Sequence, residues 1–144
     1  MINYKDLMIG NWVYDSKYTK YPMQVVGIGD NYCYLNFKGN EADPFDGVDK
    51  DMMPINVDDE LLKKVGFIRE YKEPYIPYDD YQMIVNDCHV SIRQDGANSK
   101  GRIWSCQIDN DRYESLGGFD FQHLHELQNG IRLITKGDLE IKEL

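Results

Sequence analysis

Cys88-His89-Val90-Ser91-Ile92-Arg93 runs into Gln94-Asp95-Gly96-Ala97-Asn98-Ser99-Lys100-Gly101 and then into Arg102-Ile103-Trp104-Ser105-Cys106-Gln107-Ile108. The fold class is decided here. In the two outer stretches large apolar and polar side chains alternate, and a period of two sends successive side chains to opposite faces of a strand. The polar stretch between them is rich in Gly, Asn and Asp, the residues of turns. The reading is an antiparallel pair with one buried face and one wetter face. Gln82-Met83-Ile84-Val85 precedes it as further strand.

Beyond Tyr113 and Gly117-Gly118 the period changes. Asp120 is placed to cap a helix on which Phe121, Leu124, Gln128, Ile131 and Thr135 form one stripe, with Leu127 and Ile134 beside it. Gly137 ends that helix, and Leu139-Glu140-Ile141 alternates like a closing strand.

Upstream, Ile9-Gly10-Asn11-Trp12-Val13-Tyr14, Gln24-Val25-Val26-Gly27-Ile28 and Tyr32-Cys33-Tyr34-Leu35-Asn36-Phe37 read as three strands. The turn signal Gly29-Asp30-Asn31 separates the last two. Short strands joined this way predict an antiparallel β-meander or small half-open barrel. Asp58 then caps a short helix through Asp59-Glu60-Leu61-Leu62-Lys63-Lys64-Val65, with carboxylates at its positive end and lysines at its negative end. Gly66 stops it and Phe67 packs back. Residues 69–81 hold prolines and clustered tyrosines, and proline forbids a regular helix or central strand. They read as an extended connector on which Tyr75 and Tyr78 either form an aromatic recognition surface or cover a core edge.

The expected fold is α+β: residues 1–57 a β-meander or small barrel, 58–82 a short helix and Tyr/Pro-rich connector, and 83–144 an antiparallel β unit packed by a C-terminal helix. The three are compatible with one continuous domain.

Composition bounds the function. The chain has 144 residues, 42% hydrophobic and 28% charged, which is enough apolar material for a core. No run approaches the roughly 20 apolar residues of a membrane span, and the N-terminus lacks the order of a signal peptide, so a cytoplasmic protein is expected. The net charge is -9, with negative charge spread along the chain and no basic stripe. Phosphate neutralisation needs clustered Lys and Arg, so direct nucleic-acid binding is disfavoured. The acidity reads as solubility, or as the surface of an acidic nucleic-acid mimic.

Cys33, Cys88 and Cys106 are odd in number, far apart and set in apolar surroundings, which suits buried thiols better than a disulfide framework or zinc site. In the acidic loop 38–53, an EF-hand frame with Gly47 at its sixth position puts Ala42, Pro44 and Met53 where ligands belong, and the motif fails. The turn around Gly96 and Gly101 lacks the order of a phosphate loop. His123 and His125, two apart on the expected helix, point about 200° away from each other and cannot share a metal; only a strand would place them together. His89 follows Cys88 on a strand, so the two face opposite sides. A Cys/His hydrolase would require a cysteine to meet one of these histidines across the fold. The residues imply no metal and no cofactor.

Three stretches carry a resemblance. Asp6-Leu7-Met8-Ile9-Gly10-Asn11-Trp12-Val13-Tyr14 resembles an "LRIGNWVY" opening. Pro54-Ile55 with Asp58-Asp59-Glu60-Leu61-Leu62-Lys63-Lys64-Val65-Gly66-Phe67 resembles "IPLTEEWLLKFGF", with Leu61 at the Trp position. His125-Glu126-Leu127-Gln128-Asn129, followed by Leu133-Ile134-Thr135-Lys136-Gly137-Asp138-Leu139-Glu140-Ile141, resembles "HQLQNLYFALTGEELEI". In this order they are similar to a family of small proteins in gut Bacteroidetes genomes, often encoded near phage or mobile-element genes. The resemblance implies a cytoplasmic protein from a mobile element and supplies no mechanism. If its motif marks a surface, His125, Gln128 and Asn129 are the residues that bind; His125 and Asn129 lie one helical turn apart. The alternative is that they tie the helix to the sheet by hydrogen bonds. The expected function is a non-enzymatic interaction or accessory protein with a protein partner, self-association being open, against a Cys/His-based hydrolase or a nucleic-acid mimic.

Overall fold

The structure, a computed structural model, describes residues 1–17, 21–36, 45–48, 50–70, 80–141 and 144. Two compact units emerge: Met1–Ile55 with His123–His125, and Asn56–Gln122 with Glu126–Leu144.

The first unit opens with a 3-10 turn at Tyr4–Asp6 and then five strands, β1 (Trp12–Asp15), β2 (Met23–Ile28), β3 (Cys33–Asn36), β4 (Phe45–Gly47) and β5 (Met52–Met53). Their order is β4-β3-β2-β1-β5. The two outermost strands are consecutive in the chain and joined by a tight turn, in which the Asp51 and Met52 N–H groups donate to the Val48 carbonyl at 2.9 and 3.1 Å. That turn draws the sheet edges together into a nearly closed, barrel-like sheet. Alternation puts Val13, Met23, Val25, Cys33, Leu35 and Met52 inside, all without exposed surface, with Ile2 and Leu7 closing the cluster. The register shifts between Val25 and Gly27, a bulge that leaves Val26 exposed.

The second unit contains α1 (Asp59–Lys64), β6 (Ile68–Glu70), β7 (Asp80–Val85), β8 (Cys88–Asn98), β9 (Gly101–Asp109), β10 (Ser115–Phe121) and the greater part of α2 (Leu124–Thr135). The expected ends of α1 are present. The Leu61 N–H donates to Asp58 Oδ1 at 2.8 Å, Gly66 lies at φ +108°, and the Phe67 N–H returns to the Leu62 carbonyl at 2.9 Å. Strands β6 to β10 form one antiparallel sheet in sequential order. Its buried face is built from cross-strand rows: Tyr81, Ile92, Cys106 and Phe119 in one, Val90 and Ile108 in the next, Trp104 and Phe121 in a third. Helix α2 covers this face. Leu127 and Ile131 are fully buried, a Cβ at Gly130 would stand only 2.2 Å from Phe119 Cζ, and Asn86 Nδ2 donates to the Thr135 carbonyl at 2.6 Å.

The architecture is α+β, with antiparallel sheets and a sheet-covering C-terminal helix. Residues 71–79 of the expected connector lie outside the described residues; at its ends Arg69 pairs with Tyr81 and Glu70 with Asp80, so these ends are strand within one sheet. Three local expectations are corrected. The polar turn at 94–101 is mostly strand, since β8 and β9 extend until only Ser99 and Lys100 turn the chain. Residues 115–121 form a strand and α2 begins at Leu124, because Phe121 is the last inward side chain of β10, opposite Trp104. Leu139 is buried without strand pairing, so there is no closing strand at 139–141.

Candidate functional site

Tyr75 and Tyr78 lie outside the described residues, as does half of the acidic loop. Of the remaining sequence candidates, His125 is 6% exposed and Gln128 9%, while Asn129 is half-buried. Each has a partner within the molecule. His125 clusters with the first unit, Gln128 and Asn129 with the second. Burial leaves His125 and Gln128 almost no surface to offer a ligand.

The histidine pair is arranged differently from expectation. His123 precedes the first helical residue instead of sitting within the helix, and its ring lies parallel to that of His125, 6° apart with centroids at 5.8 Å. Two imidazoles fall short of a metal coordination sphere, and among the described residues no three metal-ligating side chains gather. His89 stacks at 4.3 Å on Tyr113, a 72% exposed residue held at φ +60° in the turn between β9 and β10. Asn110 Oδ1 organises that turn by accepting from the Arg112 and Glu114 N–H groups.

The thiols Cys33, Cys88 and Cys106 are free and buried. Desolvation pushes the Cys106 thiol up to about 12, so at neutral pH it is a small apolar side chain and not a nucleophile.

One polar cluster braces the second unit. The Tyr81 hydroxyl donates to Asp59 Oδ1 at 2.7 Å, and Arg102 Nη1 reaches Asp59 Oδ2 at 3.1 Å. The hydrogen bond from Tyr81, with the Arg102 contact, holds the Asp59 carboxyl below its ordinary range. Burial and the same hydrogen bond push Tyr81 up to about 12. Trp104, edge-on to Tyr81 at 6.2 Å, donates its indole N–H to the Val57 carbonyl at 3.1 Å. Every member connects α1, the sheet and the segment before α1, which is a structural role.

A different arrangement stands on the outer face of the first unit. Strand β3 alternates Cys33 and Leu35 inward with Tyr34 outward, and Tyr32 precedes it on the outer side. Tyr34 lies opposite Gly27 in register. Its ring covers that glycine so closely that a Cβ there would sit 2.9 Å from Cδ2; the Tyr32 ring covers Gly29 in the same way, at 2.8 Å. The two rings meet edge to face at 5.2 Å, and their hydroxyls are 3.1 Å apart. Asp46 pairs with Tyr34 from β4, and Asp30 sits in the β2–β3 turn. The Tyr32 hydroxyl is held above its ordinary range, first by the hydrogen bond to Tyr34 and further by the charges of Asp46 and Asp30. Val26, Ile28 and Tyr34 are 39%, 44% and 37% exposed. Rings fixed in one geometry yet open to solvent lose little side-chain freedom when they are covered.

Sequence reasoning saw the aromatic strand but missed this surface. The available signal was Gly27 and Gly29 at the end of one strand and just beyond it, and Tyr32 and Tyr34 just before the next strand and within it, both pairs spaced by two and separated by a turn. Comparison with family models, curated proteins and solved structures found no match for this chain. No helix among the described residues is long and apolar enough to cross a membrane.

Proposed function

We propose that this is a non-enzymatic interaction protein, an accessory factor of phage or mobile-element origin, working in the cytoplasm through contact with a protein partner. The observation carrying this reading is the Tyr32–Tyr34 face. Aromatic residues concentrate contact energy at interfaces, and these are anchored by glycine backbone beneath and by their own hydroxyl contact. The neutral, buried Cys106 thiol supports a binding role over thiol hydrolysis. The mobile-element origin rests on the sequence resemblance.

The test is affinity capture from an extract of the native host with the wild-type chain and with Tyr34→Ala, followed by mass spectrometry. A partner recovered by the wild type and lost with the variant is the expected result. Identical protein sets on both baits would refute the assignment of this face.

A further inference from the structure

The chemistry of the face narrows what it can hold, provided that it is a binding surface as proposed above. We propose that the Tyr32–Tyr34 face of the first unit receives an extended, lysine- or arginine-bearing segment of its protein partner. Three observations converge on a cation.

First, the outer cross-strand rows are Trp12, Gln24 and Asn36 in one, and Gly27, Tyr34 and Asp46 in the other. Among the described residues, neither row contains a lysine or arginine. Second, Asp46 on β4 pairs with Tyr34, and Asp30 lies in the turn that leads into Tyr32, so two negative charges stand beside the aromatic pair. An incoming ammonium or guanidinium then meets ring faces and carboxylates together, and cation–π attraction adds to charge attraction. Third, each phenolic oxygen retains acceptor capacity beyond the shared Tyr32–Tyr34 contact, and a lysine or arginine head is purely a donor. Val26 and Ile28, exposed on β2, offer apolar surface to the alkyl stem behind such a head. A phosphate backbone would meet the same carboxylates with the wrong sign, so nucleic acid is disfavoured here.

The experiment is selection of a displayed library of random linear peptides on the immobilised full-length chain. Affinities of the enriched peptides are then measured for the wild type, Tyr34→Ala, Asp30→Asn and Asp46→Asn. Enrichment of Lys- or Arg-bearing peptides is expected, with binding lost in Tyr34→Ala. Each aspartate substitution, conservative and on the surface, weakens binding about twofold to fivefold, and raised salt weakens wild-type binding. Enriched peptides that depend on Tyr34 but lack basic residues, or are indifferent to both aspartate changes, would overturn the cation assignment and leave the interaction reading standing. No Tyr34-dependent peptide binding would overturn both. Binding of a single-stranded oligonucleotide that competes with the peptides would equally overturn the assignment to protein.

Discussion

Replacing Tyr81 by phenylalanine removes one oxygen atom from a side chain that is 1% exposed. The ring stays to pack against Trp104, so the loss is confined to the hydrogen bond to Asp59 Oδ1 at 2.7 Å. A hydrogen bond to a charged group contributes roughly 1.5–3 kcal/mol. The Asp59 side chain is 46% exposed and keeps Arg102, so water replaces part of what is removed. The expected loss is therefore about 1 kcal/mol at neutral pH, below that range because water takes over part of the bond, or about 3–6 °C in the midpoint for a chain of this size. The pH dependence is the sharper test. Asp59 is held below its ordinary value, so its pairing adds stability above about pH 4 that disappears as pH falls through the folded-state value. The gap between wild type and Tyr81→Phe should close in that acid range. At alkaline pH the sign reverses. Tyr81 is raised to about 12, so the wild type loses stability as pH climbs from about 10, where an unfolded tyrosine ionises, and the phenylalanine variant is spared that loss. Urea titrations across pH, followed by circular dichroism, measure all three regimes. A difference that stays constant from pH 3 to neutrality, taken as roughly the carboxylate titration range, would show that the bond to Asp59 is not what Tyr81 contributes.

Three further outcomes follow from other contacts. Thiol reagents should modify Cys33 and Cys106, which are 0% and 1% exposed, only as fast as the chain opens, and addition of urea should release both; immediate labelling of the native protein would contradict their burial. Gly118→Ala should destabilise the second unit by about 1–3 kcal/mol, because its Cβ would stand 2.9 Å from the Cys106 carbonyl oxygen, which the ladder holds in place; equal midpoints in urea would show that the strand yields freely. Gln122 Nε2 reaches Asn98 Oδ1 at 2.8 Å and the Gly101 carbonyl at 3.3 Å, steadying the exposed end of the β8–β9 hairpin. Gln122→Ala should speed amide exchange at residues 94–102 severalfold while the midpoint moves by about 1 kcal/mol or less. Unchanged exchange there would deny the side chain that role.

How far the sequence could be read depended on whether local patterns had competition. The α1 ends were legible because Asp58, Gly66 and Phe67 each do one job set by backbone geometry. Alternation in 88–93 and 102–108 was legible because one face is covered and the other is wet. Strand β10 was hidden, since Gly117 and Gly118 break the hydrophobic pattern and have poor strand propensity. Gly118 is there because the neighbouring carbonyl leaves no room for a Cβ, a tertiary cause with no local trace. Missing that strand shifted the helix start backward and misplaced His123. The prolines of 69–81 lie outside the described residues, and only the pairing of Arg69 with Tyr81 and Glu70 with Asp80 shows that the ends of this stretch are strand. The tyrosine surface escaped notice because exposure of an aromatic residue is decided by register. A one-residue slip in β3 would have buried Tyr34 and exposed Leu35.

The first unit is not finished by its own stretch of chain. Leu124, fully buried, donates its N–H to the Ile55 carbonyl at 2.9 Å and clusters with residues that precede it by most of the sequence. During synthesis, the ribosome must release more than a hundred residues before this last piece is available. Until then the Ile55 carbonyl depends on water while the strands of the other unit are being made.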